Sequence, residues 1–511
     1  MFAASTSVRI AHGLLWARDR EEMAVGLLDQ STWEGKIFLG GAWTEGSGPT
    51  YPVVEPATGA TIAQMGQATA ADVARAAEIA AEAQKEWAAL PYFQRAAVLR
   101  KAGDLWSEHA VEISDWNVRE VGAIPAMAGF ALHVAAQECY EASALPSRAY
   151  GEVVPSEEPR LSIARRMPVG VVAVISPFNV PIILGIRSVA PALALGNAVI
   201  LKPDPRTAVT GGVVLARVLE EAGVPAGVLQ MLPGGIDVGE ALVTDPNIPV
   251  ISFTGSTLAG RRVGELAGRH LKRAHLELGG NSALIVLDDA DVDKAVSLAA
   301  FGSFFHQGQI CMTTGRHIVH ESIYDEFVEK LAGKAAHLPV GDPTTGQVAL
   351  GPIIDEGQRN KIHNLVTASA EAGARIAAGG EFEGLFYRPT VLADVPADAP
   401  AFAEEIFGPV APVTRFSTLD EAVALATRTE YGLSLGIVTR DVMKGLALAD
   451  RIPTGIVHIN DQTVSDEANI PFGGVAASGT GSRFGGPAAN VEAFTETRWV
   501  TLRAEPPQYP F

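Results

Sequence analysis

From residue 169 onward, short charge-free apolar runs recur between longer amphipathic stretches. The runs are Val169–Ile175, Ala198–Leu201, Val228–Leu232, Val250–Phe253 and Ala283–Leu287. A strand wetted on one face alternates apolar and polar residues, whereas these runs are almost continuously apolar. They require burial on both faces, which means a parallel sheet covered by helices. The intervening stretches predict helices near Pro181–Leu195, Thr207–Ala222, Gly235–Val243 and Leu258–Arg269. Together they describe a doubly wound α/β domain, a fold that takes its ligand beyond the carboxyl ends of the strands.

A second α/β cycle follows. It has a helix over Asp291–Phe304, a strand at His317–His320, a helix over Ile323–Ala336, and strands at Gly436–Thr439 and Gly455–Asn460. Ahead of the first cycle, residues 70–110 read as two helices. Thr69 and Asp72 make a capping box, Val73, Ala76, Ala80 and Trp87 follow at helical spacing, and Pro91 interrupts. Ala149–Arg165, rich in Pro, Glu and Ser, predicts a protruding hairpin. Arg498–Arg503 reads as a strand without a sequence-adjacent partner, pairing either across subunits or at an edge of its own chain.

Composition narrows the function by exclusion. At about 100–200 residues per domain, 511 residues make two or three domains. Hydrophobic content of 48% is too high for a disordered chain. A net charge of −19 opposes binding to nucleic acid or an anionic membrane surface. Two cysteines, Cys139 and Cys311, exclude a disulfide scaffold, and the eleven histidines show no ligand spacing, so no metal site is expected. Met167–Ile186 is long enough to span a bilayer, but Pro177, Asn179 and Pro181 break it, so a strand, a loop and a helix start are expected there. The first twenty residues, with Arg9, Arg18 and Arg20, faintly resemble a transit peptide, and Met23 offers a second start. A cytoplasmic protein is the expectation, which suits a free thiol.

Several residues carry chemistry. Phe253-Thr254-Gly255-Ser256 closes one strand and opens a helix, where backbone N–H groups and the Ser256 hydroxyl suit a pyrophosphate. It lacks the usual dinucleotide glycine fingerprint, and taken alone it is an ordinary strand–helix turn. Lys202, leaving its strand before Pro203-Asp204-Pro205, is placed for a ribose or phosphate oxygen, or is a solvated surface lysine. Cys311 lies among small and apolar residues and is a nucleophile only if a base or an oxyanion donor converges on it; otherwise it is core, as Cys139 is. Glu277, between apolar residues and a glycine pair, is a general base raised by burial or a salt-bridged strand end. Asn179 either stabilises an oxyanion or caps the next helix.

The ordered set Ile175–Asn179, Gly196-Asn197 with Lys202-Pro203, Phe253–Ser256, Glu277–Gly280, Gly308–Cys311, Glu404–Pro409 and Pro471–Gly474 resembles the aldehyde dehydrogenase superfamily over about residues 33–505. The texture of Lys202–Thr207 and Ser478–Gly486 is similar to its benzaldehyde, vanillin and salicylaldehyde branch. The resemblance implies NAD(P)-dependent oxidation of an aromatic aldehyde to its acid. Cys311 would attack, Asn179 and the Cys311 N–H would hold the oxyanion, and Glu277 would activate water against the thioester. It implies a cofactor site from Ser176, Pro177, Phe178, Lys202 and Asp204 on one side, and Gly255, Ser256, Leu278, Glu405 and Phe407 on the other. The substrate pocket would draw on Phe178, Phe305, Ile310, Met312 and Arg187, the last either meeting a ring substituent or forming an interface salt bridge.

Many NAD-preferring members have a glutamate three residues after the lysine, where this chain has Pro205; Asp204 beside it opposes a 2′-phosphate, so NAD or both cofactors are expected. The resemblance also implies a homodimer or homotetramer. It divides the chain into a cofactor domain (1–148 and 166–278, the first ~25 residues an extension), a catalytic domain (279–480) and an oligomerisation element (149–165 and 481–511). Rival readings are an aliphatic or semialdehyde dehydrogenase, an acylating enzyme that passes the thioester to coenzyme A, and a cofactor-free thiol hydrolase or binding protein.

Overall fold

A computed structural model describes residues 26–511; the amino-terminal segment read above lies outside them. The first sheet has seven strands in the order Arg273–Glu277, Val250–Thr254, Val171–Ile175, Ala198–Lys202, Leu229–Met231, Lys36–Leu39, Ala42–Glu45. The first five are mutually parallel, and the last two add an antiparallel edge. Every residue of Val171–Ile175 is buried, and each fully buried Val or Ile contributes about 1.5–3 kcal/mol. The parallel part of the sheet starts at this strand, winds outward one way and then returns to the other side. The switch point therefore falls between Val171–Ile175 and Val250–Thr254, where doubly wound sheets open a crevice.

The second sheet also has seven strands, ordered Arg375–Ala378, Thr390–Ala393, Val410–Phe416, Thr314–His320, Ser282–Val286, Ser434–Val438, Ile456–Ile459. All its pairs are parallel except the first. Residues 278–281 alone join Glu277, at the end of one sheet, to Ser282, at the start of the other. So short a link brings the carboxyl ends of the first sheet against the amino ends of the second.

The carboxy-terminal strand Thr495–Leu502 pairs within the chain. Its partner is Leu161–Pro168, which also forms a hairpin with Gly151–Val153. The helix Pro181–Ala194 begins where the charge-free stretch predicts one, and among the described residues no helix is long and apolar enough to cross a membrane.

Several elements depart from the sequence reading, among them the strands Arg273–Glu277, Thr390–Ala393 and Val410–Phe416, which it did not include. The helix expected over Thr207–Ala222 opens with a 3₁₀ turn and a wide turn at Val209–Val213 before becoming α-helical at Val214. The Glu120 carboxylate accepts the Val209 and Thr210 N–H groups at 2.9 and 2.6 Å, and Gly211 packs so closely on Pro181 that a Cβ would lie 2.8 Å from it. The helices Ala110–Val121 and Pro125–Ala144 were not anticipated. The latter is so apolar all round that it lacks the two-faced pattern of a surface helix.

Candidate active site

A cavity of about 680 Å³ opens at the switch point, within the range of ligand sites. It is lined by Ser176, Pro177, Phe178 and Asn179 after the central strand, by Lys202 and Asp204 after the next, and by Gly255 and Ser256 after the fourth. From across the link come Leu278, Cys311, Glu405 and Phe407. All ten residues expected around a cofactor thus share one cavity with Cys311 and Asn179.

The lining is locally determined. Ser256 caps the helix Thr257–Arg269, accepting the Ala259 N–H at 3.3 Å, so that helix points its amino terminus at the cavity. Lys202 is buried rather than solvated, and among the described residues its ammonium reaches only the Pro203 carbonyl, at 3.4 Å; desolvation lowers its pKa. A buried ammonium with one long bond suits an anionic or hydroxyl group of a ligand in the cavity. The Glu405 carboxylate accepts the Gly280 N–H at 2.9 Å, and a Cβ on Gly279 would lie 2.5 Å from it, so the glycine pair admits this acid. Phe407 has a left-handed backbone (φ 56°), held by Gln358, whose amide donates to the Ile406 and Phe407 carbonyls. At the outer end Ile236 and Leu258 are 82% and 83% exposed and face the cavity, an apolar clamp for a flat ring. Cation, carboxylate, helix terminus and clamp fit a dinucleotide.

Asp204 is spoken for. Both its oxygens accept from Arg206, whose other arm reaches Asp355 at 2.8 Å and whose guanidinium stacks on Phe178 at 4.0 Å. Arg206 therefore carries no spare charge for a 2′-phosphate. Nothing in the sequence pattern pointed to Asp355 or Gln358, which come from a distant helix.

At the inner end, the Asn179 side-chain amide donates to the Gln309 carbonyl at 2.8 Å, leaving its second N–H free, while the Cys311 N–H has no acceptor among the described residues. Cys311 is half-buried, and its thiol is pushed up to about 12 by desolvation first and then by Glu405, Glu277 and Asp466. Glu277 is 3% exposed, with both carboxyl oxygens unpartnered. Burial raises its pKa well above the usual carboxylate range, against the pull of Arg483. It is not the salt-bridged strand end considered above.

The expected substrate residues divide. Ile310 and Met312 pack with Leu433 and Phe472, against Phe305 and Cys311, in an apolar cluster beside the thiol. Phe178 lies on the cofactor side, edge-on to Phe407 at 5.8 Å. Of the two readings of Arg187, the structure favours the salt bridge, and its charge is not free to meet a ring substituent. It is 2% exposed, paired at 2.8 Å with both Glu138 and Asp466, and it presents only a guanidinium face, to Phe472 at 5.1 Å. Leu433 and Asp466 were missed, and Phe472 was named only within its motif and given no role, because all three are distant in sequence from Cys311.

The profile of the Aldehyde dehydrogenase family matches residues 43–500. The chain belongs to the aldehyde dehydrogenase family. Among its relatives in that family, a vanillin dehydrogenase from Amycolatopsis sp. is 68% identical over 95% of this chain and 100% of its own length. A benzaldehyde dehydrogenase [NAD(+)] from Pseudomonas putida is 49% identical over 94% and 99%. The crystal structure of a salicylaldehyde dehydrogenase from Pseudomonas putida, complexed with salicylaldehyde, superposes with a TM-score of 0.90 at 37% identity, covering 93% of this chain and 99% of that one. This aldehyde dehydrogenase and those relatives therefore share their architecture nearly end to end.

Proposed function

We propose that the chain oxidises an aromatic aldehyde of the benzaldehyde type to its carboxylic acid, with NAD favoured over NADP. The observation that carries this is the convergence of Cys311, the free Asn179 N–H and a dinucleotide-shaped cavity, with an apolar cluster beside the thiol. The relatives that act on vanillin, benzaldehyde and salicylaldehyde support the aromatic class.

When bound, the nicotinamide supplies a two-electron acceptor for hydride; Lys202, Ser256 and Glu405 would hold the dinucleotide. The residues do the rest. Cys311 gives its proton to water and its sulfur bonds to the aldehyde carbon, pushing the carbonyl pair onto oxygen. The Asn179 amide and the Cys311 N–H stabilise that oxyanion, an interaction stronger in the transition state than in the ground state. Loss of hydride leaves a thioester on Cys311. Glu277 takes a proton from water as it attacks; the carbon–sulfur bond then breaks and the thiol is restored. A carboxyl whose pKa burial raises holds a proton more readily than a solvated one, which suits a base that takes a proton from water. Initial rates with NAD and NADP across benzaldehyde, vanillin, hexanal and succinic semialdehyde test the reading: it fails if the aromatic aldehydes turn over no better than the others.

The chain divides, in this proposal, as residues 1–148 with 166–278, 279–480, and 149–165 with 481–511. The last part carries self-association into a homodimer or homotetramer. Trp499, Val153 and Leu502 stand 66%, 72% and 49% exposed on its small sheet, apolar surface that self-association would cover. Sedimentation of wild type and Trp499→Glu checks this, a monomeric wild type overturning it. A cytoplasmic location, where thiols stay reduced, completes the proposal.

A further inference from the structure

Three residues ahead of Cys311 run in left-handed backbone: His306 (φ 52°), Gln307 (φ 56°) and Gly308 (φ 65°). Glycine adopts this freely, but His and Gln do so only where their surroundings over-determine it. Gln307 is pinned by its side-chain amide, which donates to the Gly122 and Pro352 carbonyls at 2.9 and 3.1 Å. His306 is 1% exposed, and its Nε2 lies 2.7 Å from the Asn179 main-chain carbonyl. A carbonyl only accepts, so Nε2 carries the proton and Nδ1, which has no partner, is bare. Desolvation lowers the ring's pKa to about 4, keeping it neutral. In the reverse direction the Asn179 side chain donates to the Gln309 carbonyl. Asn179 is therefore tied at both its main chain and its side chain to the segment that carries the thiol.

These two segments belong to different sheets, yet the oxyanion donors they carry must hold a common geometry to within about 0.5 Å. We propose that His306 is a positioning residue: its bond to the Asn179 carbonyl sets the Asn179 amide relative to Cys311. It is not among the residues lining the cavity and acts through Asn179. The inference rests on the reading of Asn179 and Cys311 as the oxyanion site.

The full-length enzyme, with NAD and benzaldehyde, tests it through three variants. His306→Ala removes the donor. His306→Gln places an amide nitrogen at about the reach of Nε2. His306→Asn tolerates the left-handed backbone but is too short to reach the carbonyl. Single-turnover hydride transfer should fall by about 10²-fold in the Ala and Asn variants, with NAD affinity unchanged, and Gln should recover at least about tenfold of it. Asn recovering the rate as fully as Gln would show that backbone strain alone mattered and would overturn the proposal, as would an Ala variant at the wild-type rate. Should Ala fail to fold, the comparison of Gln with Asn decides alone. Asn179→Ala, run beside them, separates the layers: at the wild-type rate it removes the oxyanion reading itself, whereas a slow Asn179→Ala beside a normal His306→Ala removes only the positioning role.

Discussion

Replacing Glu277 by Gln is expected to uncouple the two halves of the reaction while leaving the fold as stable or more so. Both carboxyl oxygens are buried without partners, and Oε1 lies in a slot so tight that a Cβ on Gly473 would sit 2.8 Å from it. Gln fills the same volume, so no cavity forms. It cannot take a proton from water, and the loss of a general base costs about 10²–10⁴-fold. Stopped-flow measurement of reduced nicotinamide should show a burst of one equivalent per active site, then steady turnover slower by that factor. Stability supplies the second readout. Burial raises the carboxyl's folded pKa well above its unfolded value. Its stabilising contribution is complete below the unfolded pKa and is lost as pH rises through the folded one, with a slope of at most about 1.4 kcal/mol per pH unit between them. Denaturant midpoints at increasing pH should therefore favour Glu277→Gln over wild type progressively. A variant that turns over at the wild-type rate refutes the deacylation role. One that is slow from the first turnover, without a burst, places Glu277 before hydride transfer instead.

Cys311→Ala should abolish dehydrogenation with every aldehyde while calorimetry still detects NAD binding, because the thiol lines only the inner end of the cavity. Lys202→Met removes a buried, poorly partnered cation; NAD affinity should fall by about 1.5–3 kcal/mol, the value of a charged hydrogen bond, with no loss in melting temperature. Arg187→Met strands the buried Glu138 carboxyl, raised to about 7 even with its partner present. A cost of about 3–5 kcal/mol is expected. It should grow from pH 6 to pH 8, since the carboxyl must then stay protonated against rising pH, and denaturant midpoints at the two values check it.

The strands of both sheets were legible where burial on two faces leaves a continuous apolar run, as at Val171–Ile175 and Ser282–Val286. The strands Lys36–Leu39 and Ala42–Glu45 were not, being short antiparallel additions whose place depends on Met231 opposite Phe38. Of the residues expected around a cofactor, those from Ser176 to Leu278 were legible because they lie at or just after strand ends, which gather along one sheet edge, whereas Glu405 and Phe407 follow the helix Pro400–Ala403 and were named only through the family resemblance. For Arg187 a salt bridge was one of two readings, but its partners Glu138 and Asp466 were not legible, because they lie far away in sequence on either side of it.

Sequence by itself determined the doubly wound architecture, the order of the motifs and the candidacy of Cys311, Glu277 and Asn179, all of which rest on properties of contiguous residues. Tertiary structure decided their company. The short link at residues 278–281 turns the end of one sheet against the start of the other, and only then does Cys311 meet Asn179 and Glu277 lose its water. The left-handed run from His306 to Gly308 owes its conformation to Asn179, Gly122 and Pro352. A hydrogen bond or a desolvation penalty depends on distance in space, which a periodic pattern along the chain does not encode.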